Sequence, residues 1–196
     1  MSAAASLDVG HTAVLCMDMQ AGIVSMHSVD EALVRRAAAI LDRCRAHHLP
    51  VIHVKVGFRP GLPEVSDRNP LFGAIRSSPQ HQKLFEGEAG AVHPLLGPKE
   101  GDIEIVKHRV SAFTGTDLDM ILRAQSVDTV VLFGIATSGV VLSTMLDAGD
   151  ADYRGIVIRD CCADREPDLH MALLEKLFPR RSTVMTAAEF LALLPA

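Results

Sequence analysis

The chain has 196 residues, of which 48% are hydrophobic and 22% are charged, and its formal net charge is -5. These values predict one globular domain over residues 1–196 and exclude an intrinsically disordered chain. Because the balance is acidic and no run of Lys and Arg occurs, nucleic acid is excluded as a partner and a small molecule is expected instead.

The cysteine pattern and the apolar stretches indicate a cellular location. The four cysteines show no CxxC spacing, and the N-terminus lacks a basic start followed by a long apolar core, so we expect a cytoplasmic protein without disulfides. No apolar stretch reaches the roughly 20 residues that a membrane-spanning helix needs, so a membrane partner is not expected. The cysteines are Cys16, Cys44, Cys161 and Cys162.

Short runs rich in Val and Ile alternate with helical patterns, which is typical of βαβ units and an α/β fold with a parallel sheet. Strands are predicted near 12–17, 51–56, 103–106, 128–133, 154–159 and 182–185. Helices are predicted near 30–47, 116–126, 138–149, 167–178 and 187–194. Asp30 and Asp117 stand where an acidic residue favours a helix start.

A long segment, residues 57–101, interrupts this alternation. It is rich in Pro and Gly and has one possible short helix near 71–77. Connections of this length in a compact domain are commonly binding loops or lids, so we expect the segment to cover a pocket. Its aromatic and basic residues either select the substrate or anchor the segment and contact another subunit. These residues are Phe58, Arg59, Phe72, Arg76 and Phe85.

Three features follow three predicted strands: Asp18, Lys107 and the turn at residues 134–140. The carboxyl ends of parallel strands line a single crevice, so an acid, a base and a helix N-terminus are expected to share one pocket. A buried carboxylate beside a lysine can hold a proton or act as a base, and the lysine can stabilise developing negative charge.

The sequences around these features, residues 18–20, 107–113 and 134–137, resemble the isochorismatase-like hydrolases, also called the cysteine hydrolase superfamily. The resemblance runs from about Thr12 to the final helix and implies a three-layer α/β sandwich, with a six-stranded parallel sheet in the order 3-2-1-4-5-6. It also implies a non-proline cis peptide at Ile135-Ala136 and a homo-oligomer, dimer or tetramer.

The chain departs from the family at one catalytic position, because Val140 stands where most members carry a nucleophilic Cys. A valine cannot form an acyl-enzyme thioester, so water is expected to be the nucleophile, with Asp18 as acid or base and Lys107 as charge stabiliser. A small polar or anionic substrate is expected. The resemblance also implies substrate-binding roles for Gln20, Phe113, Ile135, Ala136, Thr137 and Gly139.

Two alternatives remain open. The chain is either a catalytically silent ligand-binding or regulatory homologue, or an amidase whose nucleophile is relocated to Cys161 or Cys162. Ser138 is a further side chain that can reach the pocket from the first turn of the helix. No cofactor is expected: residues 56–60 lack the Asp-x-His pair with which nicotinamidases of this superfamily hold zinc, and no nucleotide-binding glycine motif occurs.

Overall fold

The computed structural model describes residues 7–195. Its strands are β1 Thr12–Met17, β2 Val51–Val56, β3 Ile103–Lys107, β4 Thr129–Ile135, β5 Arg154–Ala163 and β6 Thr183–Met185. They form one six-stranded sheet in the order β3-β2-β1-β4-β5-β6, and every neighbouring pair is parallel. The predicted α/β class and the predicted strand order are therefore confirmed.

The connections between the strands carry helices that flank the sheet. The α-helices are α1 Ala21–Met26, α2 Glu31–Ala46, α3 Pro70–Arg76, α4 Pro79–Lys83, α5 Gly87–Gly90, α6 Leu118–Ala124, α7 Leu142–Asp150, α8 Pro167–Ala172 and α9 Ala187–Leu193. The side chain of Asp30 caps α2 by accepting a hydrogen bond from the Ala32 N–H, as its position predicted. Asp117 precedes α6 without such a bond. No helix of the described residues is both long and apolar enough to cross a bilayer.

The burial of the strands explains their sequences. Every residue of β1 and β4 is buried, because these strands lie in the middle of the sheet and helices cover both faces. Continuous runs of Val, Leu and Ile suit such strands. Strand β3 lies at the edge, and Glu104 and Val106 on it are exposed. The centre of the sheet is thus a rigid support for the residues that follow β1 and β4.

Among the element boundaries that differ from the predicted ones, two lie next to the carboxyl end of β4. Strand β5 continues to Ala163 because, after an irregularity in the pairing, Cys162 and Ala163 align with Gly134 and Ile135 of β4. The helix predicted over 138–149 starts instead as a π-helical turn, Thr137–Val141, in which Gly139 has the non-helical angles φ -100° and ψ -105°. Hydrophobic periodicity carries no signal for either feature, since both depend on contacts between β4 and β5.

Gly134 lets β1 and β4 approach closely at their carboxyl ends. Its φ is 150°, and a Cβ atom built on it would collide with the backbone oxygen of Met17. Met17 and Gly134 are partners in the parallel register, and Asp18 is the next residue after Met17. A side chain at position 134 would therefore push Asp18 away from the turn that follows β4.

The segment 57–101 contains three short α-helices, α3, α4 and α5, and a 3₁₀ turn at Pro94–Leu96, and we call it the lid. The first matches the short helix predicted near 71–77, and its N-terminus is capped by the Asn69 side chain with Pro70 in the first turn. Ser78 caps α4 in the same way. These local caps support short helices in a segment that its Pro and Gly content predicted to be mostly irregular.

Candidate active site

The carboxyl ends of β1, β3 and β4 bring three predicted features together. Asp18 follows β1 with a positive φ of 52°, a conformation that Asp tolerates better than most residues. Lys107 is the last residue of β3 and is paired in register with Val56 of β2. The expected convergence of the acid and the base is therefore present in the structure.

Asp18 and Lys107 form a buried ion pair. Lys107 Nζ lies 2.8 Å from Asp18 Oδ2, and the two residues are only 2% and 6% exposed. Lys107 Nζ also donates a hydrogen bond to the carbonyl oxygen of Arg109 at 3.0 Å. Asp18 Oδ1 is buried and has no hydrogen-bond partner among residues 7–195. One carboxylate oxygen thus faces the ammonium, while the other has an unused hydrogen-bonding capacity within the described residues.

Burial is the main influence on the protonation of Asp18. It raises the pKa of the carboxyl group, and the charge and hydrogen bond of Lys107 oppose only part of that rise. Asp18 therefore retains a proton to a higher pH than an exposed aspartate does. A raised pKa makes the carboxylate a stronger base than that of an exposed aspartate, which suits it to exchange a proton with a substrate.

The turn after β4 contributes the third part of the site. The Ile135-Ala136 peptide is cis, as the family resemblance implied. Two backbone N–H groups of the turn are already bonded: that of Ser138 donates to Asp164 Oδ2 at 2.7 Å, and that of Gly139 donates to the Ala136 carbonyl at 3.1 Å. The turn thus offers fewer free amides to a ligand than its sequence suggested.

These groups line one cavity of about 390 Å³. Asp18, Lys107, Val140 and residues of the Ile135 turn lie in its wall, and Val140 is 2% exposed. The lid covers the cavity, as predicted. The lid and turn residues in the wall are Leu71, Phe72, Ile75, Phe85, Ile135, Ala136, Ser138 and Gly139.

Three residues that the resemblance placed in the substrate site lie outside the cavity wall. Gln20 is fully buried, and its amide is hydrogen-bonded to backbone atoms of Val56 and Gly90. The Thr137 hydroxyl is hydrogen-bonded to the Ala163 carbonyl at 3.2 Å and lies 2.8 Å from His170 Nδ1. The Gln20 amide and the Thr137 hydroxyl therefore already have hydrogen-bond partners within the protein.

Phe113 is the third of these residues. Its ring packs against that of Tyr153, with the centroids 5.8 Å apart, and it lines a separate surface depression with Thr114 and Asp147. The segment after β3 turns away from the cavity beyond Val110, which does line it. Phe113 therefore lies outside the wall of this cavity, and its substrate-binding role stays a prediction.

Arg59 and Arg76, the two lid arginines that the sequence analysis singled out, also lie outside the cavity wall. Arg59 is 3.8 Å from Glu64 and faces His108, and Arg76 forms an ion pair with Asp67 at 3.0 Å. Both anchor the lid, which was one of the two roles left open by the sequence. Phe72 and Phe85, in contrast, line the cavity, and Phe58 packs edge-on against both of them.

The cysteines offer no substitute nucleophile in the cavity. Cys161 and Cys162 are 0% and 4% exposed and do not belong to its wall. Burial raises the pKa of both thiols, that of Cys162 to about 12, and the Cys162 thiol donates to the Ile158 carbonyl at 3.3 Å. A thiol in this state has almost no thiolate at neutral pH, so the structure gives the relocated-cysteine alternative no support.

Sequence reasoning missed the wall formed by α1. Ile23, Met26 and His27 line the cavity, although no helix was predicted at residues 21–26. The apolar pair Ile23-Val24 was the available signal, but a helix of six residues is too short for a clear periodicity. Within the described part of the chain, no cluster of three or more His, Cys, Asp or Glu side chains is arranged to hold a metal ion.

The fold and the cavity define an α/β protein with a buried acid–base pair beside a strand-to-helix turn, at the carboxyl edge of a parallel sheet. The model of the isochorismatase domain matches residues 12–189. The chain therefore belongs to the isochorismatase family. The family resemblance inferred from the three motifs is confirmed.

Individual relatives agree with this assignment. The chain is 32% identical over 188 residues to an isochorismatase family protein of Bacillus subtilis, with 95% of each chain covered. It is 33% identical over 156 residues to the maleamate amidohydrolase of Pseudomonas putida, and this alignment covers 79% of this chain and 71% of that protein. The structure of an isochorismatase family protein from Burkholderia thailandensis has a TM-score of 0.82 and 31% identity, covering 96% of this chain and 97% of that one. The chain is thus a member of the isochorismatase family, and an amidohydrolase is among its relatives.

Proposed function

We propose that the protein hydrolyses a small molecule with water as the nucleophile, Asp18 as the acid and base, and Lys107 as the stabiliser of negative charge. The observation that supports this most directly is the 2.8 Å pair of Lys107 and Asp18 in the wall of a cavity that Val140 also lines. Since the valine side chain has neither a proton nor a lone pair, no covalent intermediate forms at that position.

Asp18 Oδ1 is the atom that exchanges the proton, because Oδ2 faces Lys107 and Oδ1 has no partner in the part of the chain described. The carboxylate of Asp18 takes a proton from the attacking water, and the ammonium of Lys107 stabilises the negative charge that develops on the substrate. The protonated carboxyl group then gives its proton to the leaving group as the scissile bond breaks. Asp18 ends as the carboxylate paired with Lys107, and the net reaction consumes one water.

Backbone amides of the turn would bind oxygen atoms of the substrate. The N–H groups of Ser138 and Gly139 already donate to Asp164 and Ala136. We therefore assign this role to the amides of Ala136 and Val140, whose residues line the cavity. An amide directed at developing negative charge stabilises a transition state more than the neutral substrate.

A catalytically silent ligand-binding protein is the second candidate. The observation that favours it is Val140 itself, since replacement of a nucleophile by an apolar side chain preserves a cavity while removing covalent chemistry. The two candidates make different predictions about Asp18, because a binding protein needs the cavity but not a proton donor.

Turnover of a library of amides, esters and vinyl ethers by wild type, Asp18→Asn and Val140→Ala distinguishes the candidates. We expect Asp18→Asn to lower kcat/KM by about 10²- to 10⁴-fold, because it removes the exchangeable proton. Val140→Ala should retain activity within about tenfold of wild type, since water attacks in both. Melting temperatures of all three proteins serve as the folding control.

Equal turnover by Asp18→Asn and wild type would overturn the proposed mechanism. If no compound is turned over but some raise the melting temperature of wild type and Asp18→Asn alike, the silent binding protein is the correct description.

A further inference from the structure

The cavity wall is mostly apolar. Eleven of the sixteen residues that line it are apolar. Four of these eleven belong to the lid: Leu71, Phe72 and Ile75 of α3, and Phe85. A ligand that fills this space buries its body against side chains that offer no hydrogen bonds. The apolar members are Ile23, Met26, Val56, Leu71, Phe72, Ile75, Phe85, Val110, Ile135, Ala136 and Val140.

The charges in the wall balance each other. Lys107 is the one described residue of the wall with a permanent positive charge, and its ammonium lies 2.8 Å from the Asp18 carboxylate. An anionic ligand would therefore be buried without an unpaired cation to compensate it. A cationic ligand would be placed close to the Lys107 ammonium. Burial of an uncompensated charge is costly, so the wall selects against both.

His27 adds a polar group that suits an uncharged ligand. Its Nδ1 is buried and has no hydrogen-bond partner within residues 7–195, and the residue lines the cavity. Burial lowers the pKa of the imidazole, with the charge of Asp164 opposing the change, so the ring is mainly neutral at pH 7.5. A neutral imidazole offers one donor and one acceptor and no net charge.

We infer that the substrate is an uncharged molecule with an apolar body and a single polar group that reaches Asp18 and Lys107. This inference deepens the proposed function and rests on it, because a bound molecule is a substrate only if the protein hydrolyses it. The preference for an uncharged ligand can be measured without turnover. It departs from the anionic half of the sequence-based expectation of a small polar or anionic substrate. That expectation relied on a lysine and a helix N-terminus, and the structure shows the lysine paired with Asp18 and the Ser138 amide paired with Asp164.

Matched pairs of ligands with the same shape and different charge test the inference. Cyclohexanecarboxamide and cyclohexanecarboxylate form one pair, and hexanamide and hexanoate form another. Calorimetric titration of the wild-type protein at pH 7.5 should give a Kd at least about tenfold lower for each carboxamide than for its carboxylate. Ile75→Trp fills part of the cavity from the lid. It should weaken binding of the carboxamides, which would show that they bind in this cavity.

A variant that supplies the missing cation provides the sharpest control. Leu71 lines the cavity and is 57% exposed, so Leu71→Arg places a guanidinium at the rim with little burial. It should shift the preference toward the carboxylate, improving the ratio of carboxylate to carboxamide affinity by about three- to tenfold relative to wild type. Met120→Arg adds the same charge on α6, outside the cavity wall, where Met120 is 67% exposed, and should leave this ratio unchanged.

Three results would overturn the inference: tighter binding of either carboxylate than of its carboxamide by wild type, failure of both carboxamides to bind, or carboxamide binding that Ile75→Trp leaves unchanged. Carboxamide binding without any hydrolysis by wild type would instead leave the inference standing and count against the proposed function alone.

Discussion

The side-chain amide of Gln20 binds both backbone polar groups of Val56. Gln20 Oε1 accepts from the Val56 N–H at 2.8 Å, and Nε2 donates to the Val56 carbonyl at 3.0 Å. Nε2 also donates to the Gly90 carbonyl at 2.9 Å, which joins the end of β2 to the lid. Gln20 therefore holds in place the two walls between which the cavity lies.

We expect Gln20→Met to lower the free energy of unfolding by about 2–4 kcal/mol, because it leaves buried backbone groups without partners while nearly preserving the side-chain volume. Urea unfolding of wild type and variant measures the change. Gln82→Met is the control, since Gln82 also donates to backbone carbonyls within the lid but is only half-buried. A Gln20→Met protein as stable as wild type would contradict this account.

Cysteine introduced at position 140 should become the reactive thiol of the protein. It would lie in the cavity wall with Lys107, whereas none of the four native cysteines belongs to that wall. Incubation with iodoacetamide followed by intact-mass measurement should show one rapid adduct on Val140→Cys and none on wild type. Val141→Cys is the matched control, because Val141 is fully buried beside it and outside the cavity wall.

Rapid alkylation of Cys161 or Cys162 in the wild-type protein would contradict their burial. That result would return the relocated-cysteine amidase to consideration, particularly if a bound carboxamide protected the thiol from the reagent.

Phe85 separates the candidate active site from a second cavity of about 310 Å³, which its ring also lines. Phe85→Ala should join the two spaces and let the protein bind longer carboxamides, such as decanamide, more tightly than wild type does. Because the residue is half-buried, the stability cost should be about 1–3 kcal/mol, below that of a fully buried phenylalanine. Titration of an aliphatic carboxamide series against chain length measures the effect.

Phe113→Ala is the control for this prediction, since the Phe113 ring packs on Tyr153 away from both cavities. It should leave the preferred chain length unchanged. A shift in preference with Phe113→Ala and none with Phe85→Ala would restore the role that sequence reasoning gave to Phe113.

The sheet and the acid–base pair were accessible from sequence because both depend on strands. Apolar runs located β1 and β4, and the rule that parallel strands end at one edge placed Asp18 and Lys107 together before any coordinates were known. The structure agrees, with 2.8 Å between the two charged groups. Neither step needed knowledge of how side chains pack across the cavity.

The rest of the cavity wall could not be predicted from the sequence, because it depends on packing between segments that are distant along the chain. Gln20 looked like a ligand-binding residue from its position after Asp18, yet its amide is bound to Val56 and Gly90. His27 had no motif around it, and only the placement of α1 brings it to the cavity. Short helices and long-range hydrogen bonds of this kind leave little periodic signal in a single sequence.

A buried histidine on β2 should make stability depend on pH. His53 is fully buried, its Nε2 lies 3.1 Å from Asp102 Oδ2, and Arg45 donates to the same carboxylate. Burial lowers the pKa of His53, and the Asp102 carboxylate opposes only part of that change. The unfolded chain therefore binds a proton at this residue at a higher pH than the folded chain does.

The stabilising contribution of neutral His53 is complete above the ordinary histidine pKa of about 6.5 and is lost as the pH falls below it. Urea unfolding between pH 8 and pH 5 should show the free energy of unfolding decreasing with a slope of up to about 1.4 kcal/mol per pH unit from this one group. His53→Gln should flatten that slope, whereas His81→Gln, at an exposed residue of α4, should not. An identical slope in wild type and His53→Gln would show that the histidine takes up its proton equally in both states, against the burial seen in the structure.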